Sequence, residues 1–351
     1  MVMMPIGLSI ISATRSGRAD PDHDCSEPSQ PGGLQRQTDP FGTALMLGIA
    51  FSATIGGIGS LIGTPPNALF AGFVERTYGI SIGFAHWMVF GVPIVVVLLP
   101  ITWLLLTRVF FPLSRVTPSA VRVSIMEPLS RGQSIVAAVL VLTALAWVFR
   151  PLFAQWTGIS GLTDAGIAML AALALFVLPD KFSNGQALLT WDDVQTIRWD
   201  VLILFGGGLA LAGAVSSTGL AEWVGTGTAK LRGLPIMLLV FVMMVVIVYL
   251  GELASNTAMA AIFLPIAGAA SLGPGVSPLT LVLPVALAAS LGFMLPVATP
   301  PNAIIYGSGA VSSHDMLRAG AALDVISIVI VFVFAMLVGP IVFDLEAGVA
   351  R

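Results

Sequence analysis

Ser255-Asn256-Thr257-Ala258-Met259-Ala260 and, further along, Ala298-Thr299-Pro300-Pro301-Asn302-Ala303 interrupt stretches that are otherwise long and apolar. The reading of these two segments decides the fold. Both are polar or helix-breaking, and both fall where the surrounding residues belong in lipid. Irregular backbone at membrane depth is tolerated only where it lines a cavity or is covered by protein. The segments are therefore candidate walls of a binding site, and they point to a transporter.

The composition around them supports a membrane setting. Of 351 residues, 57% are hydrophobic and 9% charged, with a mean hydropathy of +0.98. A soluble domain carries about a quarter charged residues, so an ordinary soluble protein is excluded. Glycine (37) and proline (23) are frequent within the apolar runs, as in polytopic helices. A net charge of −3 without a basic stripe gives no footing for nucleic acid. The single Cys25 excludes an intramolecular disulfide. His23, Asp24 and Cys25 adjoin one another but lack a full metal-ligand set, and they read as part of a solvated loop.

Crossing the hydrocarbon core takes about 20 apolar residues. Such stretches lie near 41–62, 83–111, 133–153, 163–179, 200–216, 233–251, 279–298 and 320–343, which predicts about eight spans. Residues 14–40 are a polar loop. The 112–132 loop sets Arg115, Arg122 and Arg131 against Glu127, which places it on the cytoplasmic side. The 180–199 stretch, with Trp191 and Trp199, reads as an amphipathic piece along the membrane surface.

The chain also repeats itself. Gly63-Thr64-Pro65-Pro66-Asn67-Ala68 matches Ala298-Thr299-Pro300-Pro301-Asn302-Ala303 at an offset of 235 residues. Paired interruptions in corresponding halves are the best sequence pointer to a transporter site near the midplane. Met4-Pro5-Ile6 similarly matches Leu264-Pro265-Ile266 at an offset of 260. By that register the first copy of the Ser-Asn-Thr element is expected just upstream of Met1, so that the chain opens inside its own first re-entrant hairpin. The expected organisation is then 1–13 as the remainder of that hairpin, 14–40 as loop and 41–111 as the end of the first repeat. Residues 112–132 form the basic loop and 133–351 the second repeat, with a re-entrant hairpin at about 252–270. The fold class expected is all-α and polytopic, an inverted-repeat transporter with broken helices and an incomplete first repeat.

Ser255, Asn256 and Thr257 offer two hydroxyls and an amide near the turn of the hairpin. Helix ends converging there expose unpaired N–H groups and a partial positive charge, which suits a carboxylate without any Lys or Arg. The same side chains could instead merely join packed helices. The Thr-Pro-Pro-Asn segments are read as freeing carbonyl oxygens, which suit a small hard cation such as Na⁺. Gly63, Thr64 and Asn67 would contribute in one half, and Ala298, Thr299 and Asn302 in the other; a plain proline kink is the alternative. Leu204-Phe205-Gly206-Gly207-Gly208 reads as close helix packing. Glu252 and Asp324 are intramembrane acids, functional candidates by default, although each could equally pair with backbone at an interface. His86 beside Trp87 reads as interfacial.

Ser255-Asn256-Thr257-Ala258, the preceding Glu252, and Phe293 through Ile304 resemble the divalent anion:sodium symporter family. Trp199-Asp200 with Leu204 through Gly208, and Ser52 through Asn67, resemble it too. The resemblance implies an inverted-repeat, all-helical fold with two re-entrant hairpins, a homodimer, and sodium-driven uptake of di- or tricarboxylates by an elevator-type motion. By position it implies a substrate cradle of Ser255, Asn256 and Thr257, extended by Thr64, Pro65, Thr299 and Pro300. Asn256, Ala298 and Pro300 would form one sodium site, and Gly63 with Asn67 part of the other. The coupling ion is Na⁺, the partners are the anion, the bilayer and a second copy, and no enzyme activity or nucleic acid is expected. A related sulfate-type carrier and a non-transporting remnant are the competing expectations. An intramembrane enzyme would need a catalytic dyad or metal set, and three scattered histidines supply no H-E-x-x-H pattern.

Overall fold

A computed structural model describes residues 3–16, 40–112, 130–150, 152–153, 163–179, 187–195, 235–270 and 277–343, with isolated positions between 203 and 219. The described elements run α1 (Met3–Ser16), α2 (Pro40–Ile58), α3 (Pro65–Tyr78), α4 (Phe84–Leu104) and α5 (Arg131–Val148). They continue with α6 (Asp164–Val177), α7 (Trp191–Gln195), α8 (Ile236–Gly251), α9 (Asn256–Ala270) and α10 (Leu279–Ala288). The last three are α11 (Pro300–Gly307), α12 (Ser313–Leu337) and α13 (Gly339–Val342). The protein is an all-α, multi-pass membrane protein.

Among the described residues, four helices are long and apolar enough to cross a membrane: Pro40–Ile58, Phe84–Phe110, Arg131–Val148 and Ser313–Leu337. The second includes a π-helical turn, Leu105–Phe110, at the end of α4. The predicted span at 279–298 is a different object. Helix α10 stops at Ala288 after 10 residues, about 15 Å or half a bilayer core. Irregular backbone then runs to Thr299, where α11 begins. Hydropathy alone does not register that break, because Leu291, Phe293 and Met294 keep the segment apolar. The last span begins seven residues earlier than predicted, because Ser312 caps it. Its Oγ accepts from the Asp315 amide at 3.1 Å and donates to the Asp315 carboxylate at 2.6 Å.

The 163–179 and 233–251 predictions correspond to the shorter helices α6 and α8. Helix α1 extends to Ser16, three residues past the predicted remainder of the hairpin. Most of 14–40, 112–132 and 200–216 lies outside the described residues, as do His23, Asp24, Cys25 and Gly208. Of the 180–199 piece, the five-residue helix α7 is described.

Helix α10 is the centre of the packing. Nine of its residues, Leu279 and Leu281–Ala288, are buried, which matches its lack of a polar stripe. Helices α3, α8, α9 and α12 pack around it. On the other side α2 carries α1, α4 and α11. Phe51 of α2 meets Phe293 edge-on with centroids 5.4 Å apart, joining the two groups beside the broken segments. At the edge, Asp164 ties α4, α5 and α6 together. It accepts from the Phe84 amide at 3.1 Å, pairs with Arg150 at 3.2 Å, and receives the Trp147 indole on its carbonyl at 2.9 Å.

Candidate functional site

The two Thr-Pro-Pro-Asn segments share one local geometry. Thr64 and Thr299 are the N-cap residues of α3 and α11, with φ/ψ of −135/146 and −134/148. The prolines occupy the first helical positions, where a missing N–H costs nothing. This corrects the sequence reading: the prolines start the second half-helix and do not free carbonyls from within a helix. The carbonyls left over belong to the end of the preceding half, and the asparagines collect them. Asn67 Nδ2 donates to Gly57 O at 3.3 Å and Ser60 O at 2.9 Å. Asn302 Nδ2 donates to Gly292 O at 3.4 Å and Leu295 O at 3.2 Å. Every member of the second set lies 235 residues after its counterpart.

The breaks also touch each other reciprocally. The Thr54 hydroxyl of α2 donates to the Thr299 hydroxyl at 3.4 Å, and Thr64 shares a 3.0 Å hydrogen bond with Ser290. Thr54 and Ser290 occupy almost corresponding places at the ends of α2 and α10. Each first half-helix therefore meets the cap of the other copy. That arrangement is the signature of a two-fold-like contact. A residue near the end of each first half-helix thus binds the cap that closes the other break, and one polar seam runs between them.

The third contributor is the start of α9. Ser255 is exposed, Asn256 is half-buried and Thr257 is buried. Asn256 Oδ1 is buried without a hydrogen-bond partner among the described residues, and so is Asn302 Oδ1. Gly292 stands between α9 and the second break with φ +151, and a Cβ there would lie 3.6 Å from Asn256 Oδ1 and 3.2 Å from the Ala298 Cβ. Only glycine leaves that space open. A buried amide oxygen without a donor costs about 1–3 kcal/mol, so two of them near one glycine suit a bound cation. Neutral oxygens are the ligands a hard cation takes. The first break is different: Asn67 Oδ1 already accepts from Ser290 Oγ at 3.3 Å. Gly63 is needed there for close backbone approach, since its Cβ would fall 2.2 Å from Gly57 O.

Of the residues singled out in the sequence, Asn256, Thr257, Ala298, Thr299 and Asn302 are gathered around the second break. Gly63, Thr64 and Asn67 belong to the first, and Ser290 links it to the second. Pro65 and Pro300 are exposed at the starts of their helices. Thr54, Ser290 and Gly292 were not identified as site residues. Their only signal is a polar residue or glycine close to the end of an apolar helix, Thr54 just before it and Ser290 and Gly292 just after it.

Glu252 is 2% exposed and acts as a brace. Its Oε1 accepts from the Phe293 amide at 2.7 Å and the Met294 amide at 2.9 Å, and its Oε2 from the Leu295 amide at 2.7 Å. A charged acceptor for three orphan N–H groups fixes the break against the α8–α9 turn. Of the two readings left open for Glu252, pairing with backbone is the one observed. His86 holds Val342 O at 2.7 Å near the end of the chain.

A cavity of about 880 Å³ between α2, the π-helical turn and α11 has mainly apolar walls, among them Leu45, Ile49, Leu99 and Trp103. The Thr102 hydroxyl in its wall is already committed to Leu98 O at 2.8 Å. The cavity reaches Pro300 at the start of α11, next to the polar seam.

The sequence pattern described as "Sodium:sulfate symporter transmembrane region" matches residues 4–345. The sodium-dependent dicarboxylate transporter SdcS of Staphylococcus aureus strain USA300 is 38% identical over 354 aligned positions, covering 99% of this chain and 66% of the relative. The same protein of the bovine strain RF122 / ET3-1 matches with the same identity and coverage. The chain thus spans just under two thirds of the length of these relatives.

Proposed function

We propose a function from one premise: the chain belongs to the sodium:sulfate symporter family, the divalent anion:sodium symporters. The reading is a secondary carrier that moves small di- or tricarboxylates, of the succinate, malate or citrate kind, together with Na⁺. It works as a homodimer in the cell membrane. The observation that carries this reading is the pair of unpartnered amide oxygens: Asn256 Oδ1 lies beside the space above Gly292, and Asn302 Oδ1 belongs to the amide that donates to Gly292 O.

Sodium would be held by Asn256 and Asn302 with backbone oxygen from Ala298 and Pro300. The first break would hold a second ion at Gly63 and Asn67 once Asn67 Oδ1 lets go of Ser290. The substrate carboxylate would meet the N-terminus of α9, with the Ser255 and Thr257 hydroxyls beside it. A helix start attracts an anion through its N–H groups and dipole. The hydroxyls of Thr64 and Thr299 already face partners across the seam, and each can turn an O–H toward a second carboxylate. Pro65 and Pro300, exposed next to those threonines, would bound the cradle. Cation and anion then strengthen each other, because binding free energies couple reciprocally. No Lys or Arg is needed, and the anion can leave once sodium leaves.

Uptake of labelled succinate into proteoliposomes tests this. An inward sodium gradient is expected to drive accumulation that choline does not support. Excess malate should compete and excess sulfate should not. Sulfate uptake indifferent to succinate would make the protein a sulfate-type carrier instead. No flux of either anion would favour the non-transporting remnant.

A further inference from the structure

Asp324 is a buried acid to which neither the proposed transport chemistry nor the bracing of the break assigns a role. It lies in the middle of α12, 0% exposed, and neither carboxyl oxygen has a hydrogen-bond donor among the described residues. Its neighbour is the carboxyl group of Glu252, and both approach Phe293. One turn earlier on the same face, Gly320 allows α12 to press against the break: a Cβ there would fall 2.2 Å from Phe293 O. One turn later, Ser327 is 0% exposed with an unpartnered hydroxyl. Gly320, Asp324 and Ser327 form one stripe of α12.

Among the described residues, no cation pairs with Asp324. Helix α12 packs on α4 with its π-helical turn, α8, α10 and α13. The titratable groups described on those elements are His86, Arg108 and Tyr249, besides Glu252 at the end of α8. On α12 itself, Arg318 lies over the Phe110 ring at 5.9 Å, and His314 and Asp315 lie in the first turn. Glu252 is the group set against Asp324.

Two carboxylates are acceptors only, and they cannot bond to each other unless one carries a proton. Glu252 Oε1 already accepts two amides, whereas Oε2 accepts one and has a lone pair to spare. We propose that Asp324 and Glu252 hold one proton between them, Asp324 donating its carboxyl O–H to Glu252 Oε2. Asp324 is thereby a positioning residue: it clamps α12 to the second break and keeps Glu252 aimed at the 293–295 amides. The inference concerns the break that the carrier reading uses, but it does not depend on transport.

Infrared difference spectra of purified wild-type and Asp324→Asn protein, in H₂O and D₂O, test it directly. A protonated carboxylic acid C=O band is expected in the wild type at neutral pH and is expected to be lost in Asp324→Asn. Because an asparagine amide can also donate to Glu252, Asp324→Asn should melt close to wild type, while Asp324→Ala should melt several degrees lower or fail to fold. A wild-type spectrum without that band, or a band that survives in Asp324→Asn, overturns the proposal. So does a band that disappears in saturating sodium, which would put a metal cation between the two acids. Equal melting of Asp324→Asn and Asp324→Ala overturns the positioning role. These readouts use no flux, so their failure is separable from failure of the carrier reading.

Discussion

Replacing Asn256 and Thr257 together by alanine lowers sodium-driven succinate uptake on the order of 100-fold at subsaturating sodium, while the protein still folds. The size follows from the contacts removed. Hydrogen bonds to charged partners are each worth about 1.5–3 kcal/mol, and about 1.4 kcal/mol is a factor of ten. Losing one oxygen to sodium and one hydroxyl to a carboxylate therefore exceeds two such factors. The folding half of the prediction rests on Asn256 Oδ1, which makes no hydrogen bond among the described residues. Removing that oxygen forfeits no internal bond and relieves a buried unsatisfied acceptor. Initial rates against sodium concentration, with a melting curve on the same preparation, check both halves. Unchanged rates would dismiss the α9 start as the site. Lost rates with a collapsed melting curve would show that the pair is architectural.

Glu252→Ala has the opposite signature: the fold goes first. Three amides, buried at Phe293 and partly buried at Met294 and Leu295, lose their acceptor. Each costs about 1–3 kcal/mol when left unsatisfied. Even the low end of that range sums to about 3 kcal/mol, a large share of a protein's marginal stability. The expected result is a broad or absent monodisperse peak on detergent gel filtration and little recoverable transport. Glu252→Gln should be intermediate, since its carbonyl can replace Oε1 but its NH₂ faces the Leu295 amide. A Glu252→Ala protein that melts like wild type would mean that the break is held by something other than this carboxylate.

The paired Thr-Pro-Pro-Asn elements were legible in the sequence because proline and asparagine are rare enough in apolar runs to stand out twice. What they do was only partly legible. Proline at the first helical positions and proline inside a helix look alike until the helix start is known, and here Thr64 and Thr299 set the start. The break before Thr299 was hidden for a different reason. Leu291, Phe293 and Met294 are as apolar as any span, and the amides of Phe293 and Met294 are satisfied by Glu252 from about forty residues away. No local pattern encodes such a pairing. The same holds for Asp324, whose burial was foreseeable from its place in a span but whose neighbour was not. Sequence periodicity reports faces and ends of helices, whereas the seam is made of contacts between elements far apart in the chain. The sodium-site candidates divide along that line: Asn256 and Asn302 keep free oxygens, and Asn67 has spent its oxygen on Ser290.

The central claim is that an anion is held at a charge-free seam only when sodium occupies the neighbouring oxygens. Calorimetric titration of succinate into the purified protein, in sodium and in choline buffers of equal ionic strength, tests it most directly. Saturable heat in sodium and none in choline is the predicted result. Equal binding in both buffers would contradict the account.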